Sequence, residues 1–230
     1  MSIPKPVSLL GKLIPLTVKK QLRSFKLLAM DFRQWESIKK GNFVDLSGNT
    51  IPWYTYPAIE YLSRFNFKDK AVFEWGSGNS SVFWANRAGS VVSIESDKTW
   101  YDRIVEKKLS NQETHLAVEE SVYTEAILKQ ESKYDIIVID GQHRLECTKN
   151  AVKCINKSGM IIFDNSDWFP NSLRFLREQG FIQIDFCGFG PGIHFTWATS
   201  IFLGPEFDHD SFSFSKPLEP IGGFRQSCDD

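Results

Sequence analysis

The chain has 230 residues, of which 42% are hydrophobic and 24% charged, with a net charge of −1, enough for one well-buried α/β domain with added segments and too few for two full domains. Its strongest apolar runs, residues 136–139 and 160–163, are far shorter than the roughly 20 residues that cross a bilayer, so no transmembrane helix is expected. The charge is uneven, because residues 1–30 hold Lys5, Lys12, Lys19, Lys20, Arg23 and Lys26 and no acid, which leaves 21 basic against 28 acidic residues in the remainder.

Lys12 and Pro15 interrupt the first apolar stretch and no small-residue cleavage site follows. No secretory signal is therefore read, and a cytoplasmic or membrane-peripheral location is expected. Val18, Leu22, Phe25, Ala29 and Phe32 then recur at spacings of three and four, one face of a helix, with Lys19, Lys20, Arg23 and Lys26 on its other faces. That stripe either packs on the protein's own core or, as a basic amphipathic helix, rests on anionic lipid or a protein partner. Residues 41–57 are rich in turn formers and aromatics, and Trp53, Tyr54 and Tyr56 are candidates to roof a pocket. A helix over 58–65 leads into the first strand.

Residues 72–81 read VFEWGSGNSS and residues 91–97 read VVSIESD. A strand that ends in Gly-x-Gly turns sharply and lets the backbone approach a ligand, while an acid about 20 residues on can take both ribose hydroxyls of a nucleoside. Glu95, 19 positions after Gly76, fits that spacing. Glu74 chooses among nucleoside cofactors, since a carboxylate just before the glycines repels a diphosphate and suits an ammonium. The third glycine of the dinucleotide pattern is missing. On these residues the chain resembles the class I S-adenosylmethionine-dependent methyltransferases, whose first motif is an acid followed by alternating glycines. The resemblance implies that Glu74 receives the methionine ammonium directly or through water, that Glu95 holds the ribose diol, and that Gly76, Ser77, Gly78, Asn79, Ser96 and Asp140 complete the cofactor site. Glu119, Glu120 and Ser121 are candidates for the amino edge of adenine.

Strands are predicted at 71–75, 90–95, 114–119, 134–140, 159–164, 181–187 and 196–203, with helices near 80–88, 98–109, 122–131, 143–156 and 170–179. The runs YDIIVID and GMIIFD are continuously apolar, as in a parallel sheet buried on both faces. The last two strands meet through PGIH with no room for a crossover helix and so must be antiparallel neighbours. The resemblance, which covers residues 70–204, implies a three-layer Rossmann-like α/β fold with a seven-stranded, mostly parallel sheet in the order 3-2-1-4-5-7-6. Residues 1–69 then form a basic helix and aromatic lid extension. Residues 205–230 form a tail that Phe207, Phe212, Phe214 and Phe224 pin down. The four cysteines, Cys147, Cys154, Cys187 and Cys228, include no CxxC pair and read as reduced and mostly packed.

In such a sheet ligands bind beyond the carboxyl ends of the strands. Two of those ends carry DGQHR, residues 140–144, and DNSD, residues 164–167. Asp140, Asp164 and Asn165 match the pattern of the metal-dependent small-molecule O-methyltransferases, an Asp after the fourth strand and an Asp-Asn pair after the fifth. That likeness implies Mg²⁺ on the three side chains, activating a substrate hydroxyl. A metal-free reading assigns the proton to His143, or to Asp140 or Asp164, as general base. In a third reading these residues cap helices and close turns. His194 is a further candidate for the same mouth.

The expected activity is S-adenosylmethionine-dependent O-methylation of a small polar molecule such as a sugar or other metabolite. No nucleic-acid partner is expected, because the core is acidic and lacks the Asn-Pro-Pro-aromatic signature of enzymes that grip a flipped base. Two alternatives stay open: a nicotinamide-dependent oxidoreductase on the same architecture, and a non-catalytic S-adenosylmethionine-binding protein. Oligomeric state is not readable.

Overall fold

A computed structural model describes residues 14–41, 43–106, 108–212 and 219–223. The expectations for Lys5, Lys12, Phe214, Phe224 and Cys228 lie outside the described residues. Seven strands, β1 Ala71–Trp75, β2 Ser90–Glu95, β3 Gln112–Leu116, β4 Tyr134–Ile139, β5 Ile155–Phe163, β6 Ile182–Gly188 and β7 Trp197–Leu203, build one sheet. Their order is β3-β2-β1-β4-β5-β7-β6, with β7 antiparallel to both β5 and β6 and the other pairs parallel. This is the expected topology.

Alternation along the central strands sorts their side chains into two layers. Val72, Ile136, Val138, Met160 and Ile162 point to one face, where they pack with Tyr54, Leu62 and Trp84. Phe73, Trp75, Ile137, Ile139, Ile161 and Phe163 point to the other and meet Tyr123, Cys147, Ala151 and Leu176. The first layer is covered by α3 Tyr56–Leu62 and α4 Asn79–Ala85. The second is covered by α6 Glu120–Thr124, α7 Arg144–Cys154 and α8 Pro170–Glu178. Ile51, Tyr54, Phe65 and Phe67 share the first cluster with the strands, so the segment before residue 70 is built into the same core.

Several boundaries differ from the sequence reading for local reasons. β3 begins two residues early, because QETHL is an edge strand whose polar residues hide its period. β5 follows α7 directly, and its first half, INKS, is polar; the pairing slips between Tyr134–Ile155 and Ile136–Met160. The predicted helix 122–131 breaks into α6 and a 3₁₀ turn, Ala126–Lys129. A seven-residue helix, α2 Gln34–Lys40, was not predicted; Arg33 and Gly41, both at positive φ, bound it.

The basic stripe divides. Helix α1, Leu16–Lys26, has no buried residue, whereas the wider π-helical turn Leu27–Asp31 that continues it buries Ala29, and Leu28 and Phe32 pack on the core. Self-packing therefore explains the end of the stripe and not Val18, Leu22 and Phe25. Further on, α5 Lys98–Val105 is capped by Asp97, which accepts from the Trp100 amide. In the tail, Phe212 is buried against Phe65 and Phe67, and Phe207 stacks on Phe212. Among the described cysteines none is paired; Cys147 is buried, Cys154 partly so, and Cys187 is exposed rather than packed. No described helix is long and apolar enough to cross a membrane.

Candidate functional site

A cavity of about 750 Å³ opens at the carboxyl ends of β1, β2, β4 and β5, beside the switch in strand order between β1 and β4. Its size lies within the range of roughly 300–1,000 Å³ common for ligand sites. Ser77, Gly78 and Asn79 form one wall, Glu95 stands at a second, and Asp140, Asp164 and Asn165 form a third. Aromatic side chains close the rest: Phe43, Trp53, Trp100, Trp168, Phe195 and Trp197. Three carboxylates and no Lys, Arg or His line it among the described residues. Of the three aromatic candidates Trp53 lines the cavity, while Tyr54 and Tyr56 are buried and are not in its wall.

The glycine turn owes its sequence to two different demands. Gly76 has φ 90°, and a Cβ there would lie 2.8 Å from the Asp140 carbonyl oxygen, so the β1 and β4 ends can approach only with glycine. Gly78 is extended, and a Cβ would make ordinary contact with Trp100 at 3.7 Å. Nothing in the protein itself forbids a side chain at Gly78. It faces the cavity.

Glu74 is fully buried and is not among the lining residues. Its Oε2 accepts from the hydroxyls of Ser81 and of Ser93, the latter at 2.9 Å, while Oε1 has no protein donor. Burial pushes its pKa from 4.5 up to about 7, against the opposing hydrogen bonds of serine hydroxyls. The Ser81 hydroxyl also accepts the Gly78 amide at 3.0 Å, so Glu74 braces the glycine loop from below. The expected direct contact between Glu74 and a ligand ammonium is thus corrected. One carboxyl oxygen, Oε2, is spent on the loop, and with its raised pKa the group is no fixed anion close to neutral pH.

Glu95 does line the cavity. Its Oε2 accepts the amide and hydroxyl of Ser77, both at 3.0 Å, and Oε1 accepts the amides of Ser96 and Asp97 at 2.8 and 2.9 Å. These four donors match the roughly four acceptor sites of a carboxylate. A ligand hydroxyl reaching Glu95 would have to displace one of these donors, and the freely rotating Ser77 hydroxyl is the one that can leave. Ser96 itself contributes its amide to Glu95 and is not part of the wall.

Asp140 and Asp164 meet across the ends of β4 and β5 with Arg144 between them. The nearly buried guanidinium donates from Nε to the Gly141 carbonyl at 2.9 Å, from Nη1 to the Asp164 carbonyl, and from Nη2 to Asp140 Oδ1 at 3.2 Å and Asn165 Oδ1 at 3.3 Å. It lies against the Phe169 ring, 4.6 Å from the centroid. Asp164 Oδ1 accepts Trp197 Nε1 at 3.0 Å and Thr199 Oγ1 at 2.5 Å. Burial first, and then the charge of Asp164, holds the Asp140 carboxyl well above its usual range despite Arg144. Burial raises Asp164 to about 6, opposed by the bonds from Thr199 and Trp197.

This arrangement does not suit Mg²⁺ on Asp140, Asp164 and Asn165. A fixed guanidinium already bridges the three residues, Asp164 Oδ1 has two donors, and no cluster of three or more His, Cys, Asp or Glu capable of holding a metal occurs among the described residues. The cation that offsets these carboxylates is a side chain. Its signal was present in the sequence, as an Asp and an Arg four residues apart at the start of a helix, but it was not read as a bridge.

His143 is also misplaced for the role assigned to it. It occupies the left-handed region, φ 49°, at the head of α7; its Nδ1 is 3.3 Å from Glu120 Oε1, and it is not part of the cavity wall. Its left-handed backbone sets the ring beside Tyr123 and Glu120 instead. Glu119, Glu120 and Ser121 are likewise absent from the wall, as is His194, whose neighbours Ile193 and Phe195 line it. The residues that sequence reasoning missed are Trp100, Trp168, Trp197 and Thr199. Trp100 falls inside a predicted helix, and Trp168 falls between the predicted strand 159–164 and helix 170–179, where no side-chain period applies. The other two stand on a fully buried strand, where alternation gives no clue that one face reaches a cleft.

Seven strands in this order, a glycine turn after β1 and an acid at the end of β2 together define the class I methyltransferase fold. Among solved structures, the precorrin-6y C5,15-methyltransferase of Geobacter metallireducens is 14% identical, with a TM-score of 0.52 over 72% of this chain and 95% of that one. A putative methyltransferase from Streptococcus mutans, in complex with SAH, is 14% identical, with a TM-score of 0.48 over 63% and 94%. The precorrin 8w decarboxylase of Methanobacterium thermoautotrophicum is 16% identical, with a TM-score of 0.49 over 71% and 97%. At these identities the likeness is one of fold. No family model and no curated protein matches the sequence.

Proposed function

We propose that this protein is an S-adenosylmethionine-dependent methyltransferase that methylates an oxygen of a small hydroxylated acceptor without a divalent metal. The observation that carries the reading is the chemistry of the cavity: among the described residues its wall holds three carboxyl groups, six aromatic side chains and no basic residue. Such a site attracts a cationic ligand through charge and through ring faces, and repels a diphosphate. S-adenosylmethionine, when bound, supplies a sulfonium-borne methyl group, and it is cationic at both its sulfonium and its ammonium. Ser77, Gly78, Asn79 and Glu95 are the residues to hold it, with the open space above Gly78 giving the backbone approach. A nicotinamide dinucleotide lacks a partner for its phosphates here.

Asp140 is the proposed base. Arg144 holds its Oδ1, leaving Oδ2 to take the proton of the acceptor hydroxyl as the oxygen–methyl bond forms and the sulfur–methyl bond breaks. A carboxyl lifted above its usual range is a better proton acceptor than an ordinary aspartate. Asp164, with one oxygen engaged by Thr199 and Trp197, keeps Asp140 raised by its charge and serves as a positioning residue. The aromatic rim, Trp53, Trp168 and Phe195, excludes water and offers faces on which a sugar ring or another flat acceptor stacks. Alignment supplies the main share of rate in a direct transfer between three atoms.

Calorimetry tests the cofactor. S-adenosylhomocysteine is expected to bind at micromolar concentration and NAD(H) not at all; the reverse order would overturn the reading. Binding of S-adenosylhomocysteine without methylation of any hydroxylated acceptor in a broad panel would favour the non-catalytic alternative.

A further inference from the structure

We propose that helix α1, with the turn and helix α2 that follow it, docks this protein on an anionic membrane surface. Helix α1 carries Leu16, Leu22 and Phe25 at 68%, 55% and 62% exposure, and all eleven of its residues escape burial. Exposed apolar residues continue through Met30, Trp35 and Ile38. A soluble face does not need them.

The charges complement one kind of surface. With about 100° between successive residues, Val18, Leu22 and Phe25 form one stripe, Lys19 and Lys26 flank it, and Lys20 and Arg23 lie behind. No acid occurs from residue 14 to residue 30; beyond it Asp31 and Glu36 intervene, Glu36 pairing with Arg33 and Lys40, so the positive charge is concentrated on α1. Cations beside an apolar stripe on a single helix suit the boundary between lipid headgroups and acyl chains, where the stripe enters and the lysines stay with the phosphates. An acidic nucleic acid would engage the lysines and leave Leu22 and Phe25 in water. Helix α1 is too short to span, at eleven residues, so it lies along the surface.

The placement has a consequence for the cavity. Gln34, at the start of α2, donates to the Ile193 carbonyl and accepts from the Tyr56 hydroxyl at 2.6 Å. Gly41, directly after α2, and Ile193 both line the cavity. The basic segment is therefore tethered at the cavity rim, where Trp53 and Trp168 are also exposed. Docking would set that rim at the lipid boundary, within reach of amphiphilic acceptors.

The test is sedimentation of the full chain with vesicles of phosphatidylcholine alone and of phosphatidylcholine with about a third phosphatidylglycerol. Binding is expected to the second and not the first, and to fade as salt is raised to about 0.5 M. Each basic residue at an anionic surface is worth about fivefold in partitioning, so the combined Lys19→Glu, Lys20→Glu, Arg23→Glu, Lys26→Glu variant should lose at least about 100-fold. Leu22→Ser with Phe25→Ser should lose about tenfold on the same vesicles. Because every altered side chain is exposed, both variants should keep the wild-type unfolding temperature. Failure to bind anionic vesicles, or equal binding by the charge-reversed variant, overturns the proposal. So does full binding by the serine variant, which would mark the helix as a site for a polyanion. None of these outcomes depends on methyl transfer.

Discussion

Replacing Glu74 with Gln isolates the cost of burying a carboxyl under the glycine loop. The side chain is fully buried, Oε1 lacks a protein donor, and its pKa is raised from 4.5 to about 7, chiefly by burial. The folded chain thus binds this proton more tightly than the unfolded chain does. The stability tied to Glu74 is fully present below pH 4.5 and is lost as pH rises through 7. A shift of about 2.5 units at about 1.36 kcal/mol each amounts to about 3 kcal/mol. Glu74→Gln keeps the shape and an acceptor oxygen for Ser81 and Ser93 but never ionises. Asp140 and Asp164, also raised, contribute with the same sign in both proteins, and because the charge of Glu74 adds to the rise at Asp140, removing it lessens that contribution in the variant too. Urea unfolding at pH 5 and pH 8 should show wild type losing about 2.5 kcal/mol more than the variant across that interval, since part of the loss already lies below pH 5. Parallel stability profiles would refute the reasoning, because they would mean that Glu74 stays ionised in the fold.

Gly76→Ala should lower stability by about 3 kcal/mol or more, through its positive φ and the clash with the Asp140 carbonyl, and so drop the melting temperature by roughly 10 °C. Gly78→Ala should melt like wild type yet bind S-adenosylhomocysteine at least about tenfold more weakly, since its methyl group enters ligand space; unchanged affinity would remove Gly78 from the site. Turnover should survive chelators and gain nothing from added Mg²⁺, and a chelator-sensitive enzyme would return the metal reading to Asp140, Asp164 and Asn165. The pH profile of kcat should show an acidic limb at or above pH 6, as the Asp140–Asp164 pair ionises with increasing pH. Arg144→Met should move that limb upward, because the guanidinium favours the charged carboxylates; a limb that does not move assigns Arg144 a structural role alone.

The sheet was legible because its evidence is repeated along the chain: apolar runs in β4 and β5, a glycine turn after β1, and a hairpin too short for a crossover. Each follows from backbone geometry and burial, which act on contiguous residues. The site was less legible. Asp140, Asp164 and Glu95 could be placed at the cavity because strand ends are fixed by topology. The direction of His143 could not, since it depends on a left-handed residue at the head of α7. Trp197 and Thr199 reach Asp164 from 33 and 35 residues away, across a pairing that the sequence predicts only as a strand neighbour. The basic helix showed its period clearly, but periodicity gives a stripe and not its partner, and only part of that stripe meets the core.

The correction at Glu74 changes where ligand selection originates. A carboxyl buried behind the glycine loop, bonded to serines and absent from the cavity wall, cannot by itself choose a cation over a diphosphate. Selection passes to the wall, where Glu95, Asp140 and Asp164 face the cavity and the nearest guanidinium, Arg144, is held by Gly141, Asn165 and the two aspartates. A diphosphate entering this space would have to break those bonds to find a positive partner, leaving Asp140 and Asp164 to repel each other in a region of low dielectric. A sulfonium meets aromatic faces and anions without rearrangement. The proposed preference would therefore be set by the Arg144 bridge as much as by the residues a ligand touches.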